Sequence, residues 1–286
     1  CNVIDKWIHY QFDPNVWFTV ELLPSILVFA TPITAKMNQI TFEHSVNILN
    51  NLLYKKKNEF LIVCPLRKII IRIVNSFKKN LFPSSRGLLT QFLDSIFINI
   101  TDFDVNDVLI LGDIFNLLPD CESSPYFINL MKCALSLCEK SQEFAYSFVE
   151  NVNVCSIFSQ IAEIPNESRF PIIEMMNFFL DTNDQTLINS FISDFEWSWI
   201  IPILNEPDDF IHSDLNLSNI KESASYLAVN FIVTIPELAD LEGAKDIIEY
   251  FCEFINNDDY IGKLSIFKCT TKLFSIGNPN INNLLI

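Results

Sequence analysis

A chain of 286 residues with 50% hydrophobic content is long enough to bury a substantial core, as one large unit or as a row of small ones. It has only five glycines against 13 prolines and many Asn/Asp clusters, which argues against hairpin-rich β architectures and for helices ended by caps and polar loops. The net charge of −16 argues against general nucleic-acid binding, because phosphate contact needs concentrated Lys and Arg.

Helical patterns recur in pairs along the chain. The first pair is predicted near Trp17–Phe29 and Thr41–Tyr54, and the second near Pro65–Phe77 and Leu88–Ile98. Val16 to Ala35 is apolar enough to resemble a membrane span, but it holds Glu21, Pro24 and Pro32 and lacks a basic flank, so a buried first helix is the better reading. A third pair follows near Val105–Leu118 and Phe127–Leu137, and a fourth near Phe144–Ile161 and Pro171–Leu180. The last two lie near Thr186–Leu204 with Ile220–Ile235, and Gly243–Ile255 with Tyr260–Phe274. Stop signals separate them at Leu118-Pro119-Asp120, Ile164-Pro165-Asn166, Asp181-Thr182-Asn183-Asp184, Ile235-Pro236-Glu237 and Asn278-Pro279-Asn280.

The second member of each pair closes on a small or polar residue: Asn51, Ser95, Ser136, Asn177, Asn230 and Lys272. The steps between them are 44, 41, 41, 53 and 42 residues, the period of a stacked helical repeat. Several segments are apolar around much of their circumference, which neighbouring layers in a stack would cover. The expected fold is therefore all-α, a right-handed α-α superhelix of about six two- or three-helix layers. One helical repeat domain is expected over 1–286, excised from a longer solenoid, with a loop insertion at 205–218 where the step lengthens to 53.

Ser223-Ala224-Ser225-Tyr226-Leu227-Ala228-Val229-Asn230-Phe231, followed by Ile235-Pro236-Glu237-Leu238-Ala239-Asp240, resembles the third helix and loop of an armadillo repeat. Met175-Met176-Asn177-Phe178-Phe179 and Leu49-Asn50-Asn51-Leu52-Leu53 are looser matches to the same phrase. HEAT-type repeats share this physics, and the glycine that often separates the first two armadillo helices is absent from most units. The importin alpha group places a Trp four residues before the Asn. Here those positions hold Asn47, Gln91, Lys132, Ile173, Tyr226 and Lys268, which does not support nuclear-signal binding of that kind.

Residues three and four apart share a helix face, so each closing residue belongs to a stripe. The stripes supply the candidate groove residues Asn47, Asn51, Gln91, Ser95, Lys132, Ser136, Asn177, Tyr226, Asn230, Lys268 and Lys272. The resemblance implies that they line a concave groove, where Asn amides can bond both the N–H and the C=O of an extended peptide. A second candidate is the basic face Lys68, Arg72 and Lys79, spaced for one side of a helix and open to acidic or anionic contacts. It lies in a stretch, residues 1–100, that carries eleven bases against six acids, whereas the remainder carries eight against 29. The third is the acidic insertion Glu206, Asp208, Asp209, His212 and Asp214.

Chemistry-bearing motifs are otherwise sparse. Asp102 to Asp113 imitates a calcium loop, but Asp107 stands where the sharp turn needs Gly, and helix capping explains the acids more simply. His212 lies among carboxylates with no Cys nearby, so no metal site is assigned. There is no phosphate-cradling glycine loop and no G-x-S-x-G elbow. The eight cysteines contain no C-x-x-C and read as reduced thiols of a cytoplasmic protein, with the nucleus as the alternative. The expected function is a non-catalytic scaffold that binds a protein or extended peptide, without cofactor, catalytic residue, nucleic acid or membrane span. The alternatives are a purely architectural segment of a larger adaptor and a helical enzyme domain.

Overall fold

Apolar stripes at helical spacing, interrupted by Asn, Asp, Ser and Pro, should yield short helices that bury one side and are capped by the interrupting residues. The structure, a computed structural model, bears this out in residues 39–55, 57–78, 86–100, 104–116, 118, 127–206, 215–240, 242–256 and 263–285, which are the residues it describes. Their regular elements are all helices, and none of them is long and apolar enough to cross a membrane. The predicted helix at Trp17–Phe29 lies outside the described residues. The chain divides into two compact units, Cys1–Val152 and Asn153–Ile286.

In the first unit, α1 (Gln39–Lys55), α2 (Lys57–Val63), α3 (Leu66–Lys78) and α4 (Arg86–Asn99) precede a broken segment made of α5 (Val105–Val108), a 3-10 turn (Leu109–Leu111) and α6 (Gly112–Phe115). Then come α7 (Phe127–Lys140) and α8 (Gln142–Asn151). The predicted second members, α1, α4 and α7, pack side by side in chain order. Behind them α2 packs on α1, α3 on α4 and α8 on α7, which makes two layers. Ile69, Ile70, Ile73, Val74 and Phe77 of α3 are buried, as are Leu89, Phe92, Leu93, Ile96 and Phe97 of α4. Phe115, Phe144 and Phe148 add an aromatic cluster with edge-to-face centroid distances of 5.7 and 5.6 Å. Lys140 at the end of α7 donates to the carbonyls of Phe97 and Ile100, so its ammonium covers the negative end of α4.

In the second unit, the order is α9 (Val154–Phe158), α10 (Asn166–Asp181), α11 (Gln185–Ile192), a 3-10 turn (Trp197–Trp199) and α12 (Ile201–Leu204). It continues with α13 (Leu215–Thr234), a 3-10 turn (Pro236–Asp240), α14 (Glu242–Asn256), α15 (Lys263–Ser275) and α16 (Pro279–Leu285). Again the second members form a row, α10–α13–α15, backed by α11 on α10, α12 on α13 and α14 on α15. A run of rings binds the layers: Phe191 packs edge-on against Phe158 at 5.2 Å and Phe231 at 5.9 Å, and Phe195 stacks on Phe231 at 3.8 Å. Gly243 lets α14 approach Trp197: a Cβ there would lie 2.4 Å from the indole.

The interrupting residues act as the sequence suggests. Ser141, Asn153 and Asp184 accept hydrogen bonds from the first turns of α8, α9 and α11. Asn183, between α10 and α11, adopts φ 54°, the left-handed conformation that ends helices and that Asn tolerates well. Three predicted helices are broken, one of them Val105–Leu118, which a 3-10 turn divides into α5 and α6. Phe144–Ile161 divides at Val152-Asn153, where the Asn153 side chain caps a new start. Thr186–Leu204 becomes α11, a 3-10 turn and α12, with Pro202 in the first turn of the last piece.

Candidate functional site

Each row helix touches its row neighbours on its flanks and a second-layer helix behind, which leaves one open side. In the first unit, Asn47 on α1, Gln91 on α4 and Lys132 on α7 are all exposed. Asn51, Ser95 and Ser136, one turn further on, are half-buried. The side chains of Asn47, Gln91 and Lys132 make no hydrogen bond among the described residues. Amide, amide and ammonium thus recur on adjacent helices at equivalent points of the register. Two turns beyond Asn47 and Gln91, Tyr54 and Ile98 are exposed as well, adding apolar surface to the same helix faces. Between α4 and α7 lies the half-buried Asp94. Burial pushes its carboxyl above the usual carboxylate range, and the Lys132 ammonium partly offsets the shift.

The second unit uses the same positions differently. Asn177 and Asn230 are 6% and 2% exposed, so these two predicted groove residues lie inside the row. Asn230 donates from Nδ2 to Asn177 Oδ1 and to Asp181 Oδ1, both at 3.1 Å, and its Oδ1 accepts from Lys272 Nζ at 2.6 Å. Asn177 in turn donates to the Ser223 carbonyl at 3.4 Å. Lys272 Nζ also sits 4.8 Å from the centroid of the exposed Tyr226 ring. The closing residues of α10, α13 and α15 therefore meet, as the common register requires, and satisfy one another. Ala224 and Ala228 on α13 are fully buried, and their small side chains suit a close helix approach. Of this unit's stripe, Tyr226 and Lys268 are exposed, while Ile173 is buried.

The other predicted sites fall as follows. Lys68 is exposed and Arg72 half-buried on the outward side of α3, while Lys79 lies outside the described residues. Of the acidic insertion, Glu206 is described, and Asp208, Asp209, His212 and Asp214 are not. Glu206 has a structural attachment that the sequence does not advertise. Its carboxylate accepts from Arg169 Nη1 at 2.6 Å, and its backbone carbonyl accepts from Lys221 Nζ at 2.5 Å. Arg169, buried on α10, also donates to the carbonyls of Ile164 at 3.0 Å and Ala162 at 2.8 Å. A lone Arg before a proline carries no periodic signal, so only its neighbours in space reveal the role. In the calcium-like run, Asp104 caps α5 by accepting from Asn106 N at 2.9 Å, and Asp107 pairs with Arg67 at 3.4 Å.

Among the described residues, no three His, Cys, Asp or Glu side chains gather closely enough to hold a metal ion. The cysteines among them are free thiols, and burial pushes Cys64, Cys155 and Cys269 up to about 11. Cys133 and Cys138, more deeply buried, are shifted upward further. Such thiols are poor nucleophiles at neutral pH, because the thiolate is the reactive form. No family model, curated protein or solved structure matches the chain.

Proposed function

We propose that the protein is a non-catalytic interaction scaffold of the armadillo or HEAT type, a right-handed superhelix whose first unit receives an extended peptide on the open side of α1, α4 and α7. The observation that carries this reading is the line of exposed, unbonded Asn47, Gln91 and Lys132 on three adjacent helices. An amide can donate to a peptide carbonyl and accept from a peptide N–H, so a row of such groups suits a guest with a free backbone. Asn51, Ser95 and Ser136 would border the guest, and Tyr54 and Ile98 offer apolar contact beside it.

The test is selection of binders from a library of unstructured peptides on the full chain, followed by titration against Asn47→Ala/Gln91→Ala/Lys132→Ala. Loss of three polar contacts is expected to weaken capture by at least about tenfold, taking roughly 0.5 kcal/mol or more for each net hydrogen bond. Selected peptides that bind the triple variant as tightly as the parent would refute the reading.

A second reading, a purely architectural segment, draws on the second unit, where Asn177, Asn230 and Lys272 serve each other. Failure of the peptide selection with the parent chain would favour it.

A further inference from the structure

We infer that the outer layers carry a self-association surface in which the basic face of α3 on one copy takes the acidic face of α14 on a second copy. Both helices are sharply two-sided. α3 buries Ile69, Ile70, Ile73, Val74 and Phe77, turns Arg67, Lys68, Ile71, Asn75 and Lys78 outward, keeps Arg72 half-buried, and contains no acid. α14 buries Ala244, Ile247, Ile248 and Phe251 and exposes Glu242, Asp246, Glu249 and Glu253 with a single cation, Lys245.

Each set of charges lies on one helix side. Lys68 and Arg72 follow the spacing i, i+4, about 6 Å of α3, and Asp246, Glu249 and Glu253 follow i, i+3, i+7, about 10 Å of α14. Lys68, Arg72, Asp246, Glu249 and Glu253 have no ion-pair or hydrogen-bond partner among the described residues. Unpaired charges of opposite sign on two helix faces of one molecule are complementary between copies. Because the two faces differ, the contact is heterologous: each copy has one of each. The surface lies on second-layer helices, so it is independent of the peptide reading.

Each copy carries a net charge of −16, so at very low salt two copies repel as wholes; at about 0.1 M the screening length is about 10 Å and the facing charges dominate, and at 1 M it is about 3 Å and they too are screened. Sedimentation of the full chain at low salt, about 0.1 M, should therefore give a weight-average mass that rises with concentration. Added salt should return it to the monomer. Lys68→Glu/Arg72→Glu and Asp246→Lys/Glu249→Lys, all at solvent-facing or half-buried positions, should each be monomeric alone at low salt. An equimolar mixture of the two should associate again, since each variant then offers the face that the other lacks. A parent chain that is monomeric at low salt, variants that associate like the parent, or a mixture that stays monomeric would each overturn the inference.

Discussion

Replacing Asn230 by Ala is expected to cost the second unit about 2–4 kcal/mol, and the estimate can be worked from its bonds. The side chain gives up two donated bonds and one accepted bond. Asp181 is exposed and Lys272 is half-buried, so water can replace Asn230 for both at little net loss. Asn177 is 6% exposed, and its Oδ1 is left without a donor where water does not readily reach. An unsatisfied buried acceptor costs about 1–3 kcal/mol, and the missing carboxamide leaves a small void that adds roughly 1 kcal/mol. The assay is urea unfolding followed by tryptophan fluorescence, with Trp7 and Trp17 replaced by Phe so that Trp197 and Trp199 report. Lys268→Ala, at an exposed position of the same unit without bonds, is the control and should stay within about 0.5 kcal/mol of its parent. An Asn230→Ala midpoint as little shifted as the control would show that the network contributes no stability.

Other outcomes follow from single sites. Gly243→Ala places a methyl 2.4 Å from the Trp197 ring and should destabilise the second unit by about 1–3 kcal/mol in the same fluorescence assay. Asp94→Asn should stabilise the first unit at neutral pH. Because burial raises the folded-state pKa of Asp94, the folded form binds its proton more tightly, and stability declines as pH rises from the unfolded value through the folded one. The gain from the amide should therefore shrink as the pH is lowered toward the acid range, as pH-dependent urea melts will show. For the thiols the sign is the same: Cys64, Cys155 and Cys269 favour the protonated form up to about 11, so folding stability is lost as pH climbs above the unfolded thiol value toward that point. Cys64 and Cys269, both buried, should react slowly with an alkylating reagent at pH 7.5 in the native state and readily in urea, as mass spectrometry will report.

The long helices were legible because their signals are local. α13 carries an unbroken apolar pattern with buried Ile220, Ala224, Leu227, Ala228 and Phe231, and such periodicity survives in any tertiary setting. Short elements were not legible. α2 has seven residues and α16 has seven, too few turns for a period to stand out from a polar, Asn-rich background. The break at Val152-Asn153 is written in the sequence, but an Asn within an apolar run reads equally as a surface position until its side chain is seen to cap Ser156 N. The register of the second row was legible too, since the steps between Asn177, Asn230 and Lys272 predict that they align, and they meet.

What spacing alone leaves undecided is which aligned residues remain open, and the lengths of the side chains supply a physical reason. Helix axes packed side by side lie about 8–10 Å apart, so a side chain at the closing position links two helices only if it reaches across. Asn177 and Asn230 do so as a pair, and Lys272 reaches Asn230 from the third helix. In the first unit the corresponding residues of α4 and α7 are Ser95 and Ser136, whose hydroxyls are too short for that span. No side chain from that row hydrogen-bonds to Gln91 or Lys132, and both stay exposed, Lys132 with its ammonium near Asp94. One alignment thus gives two outcomes: long polar side chains close a row on itself, and short ones leave it open.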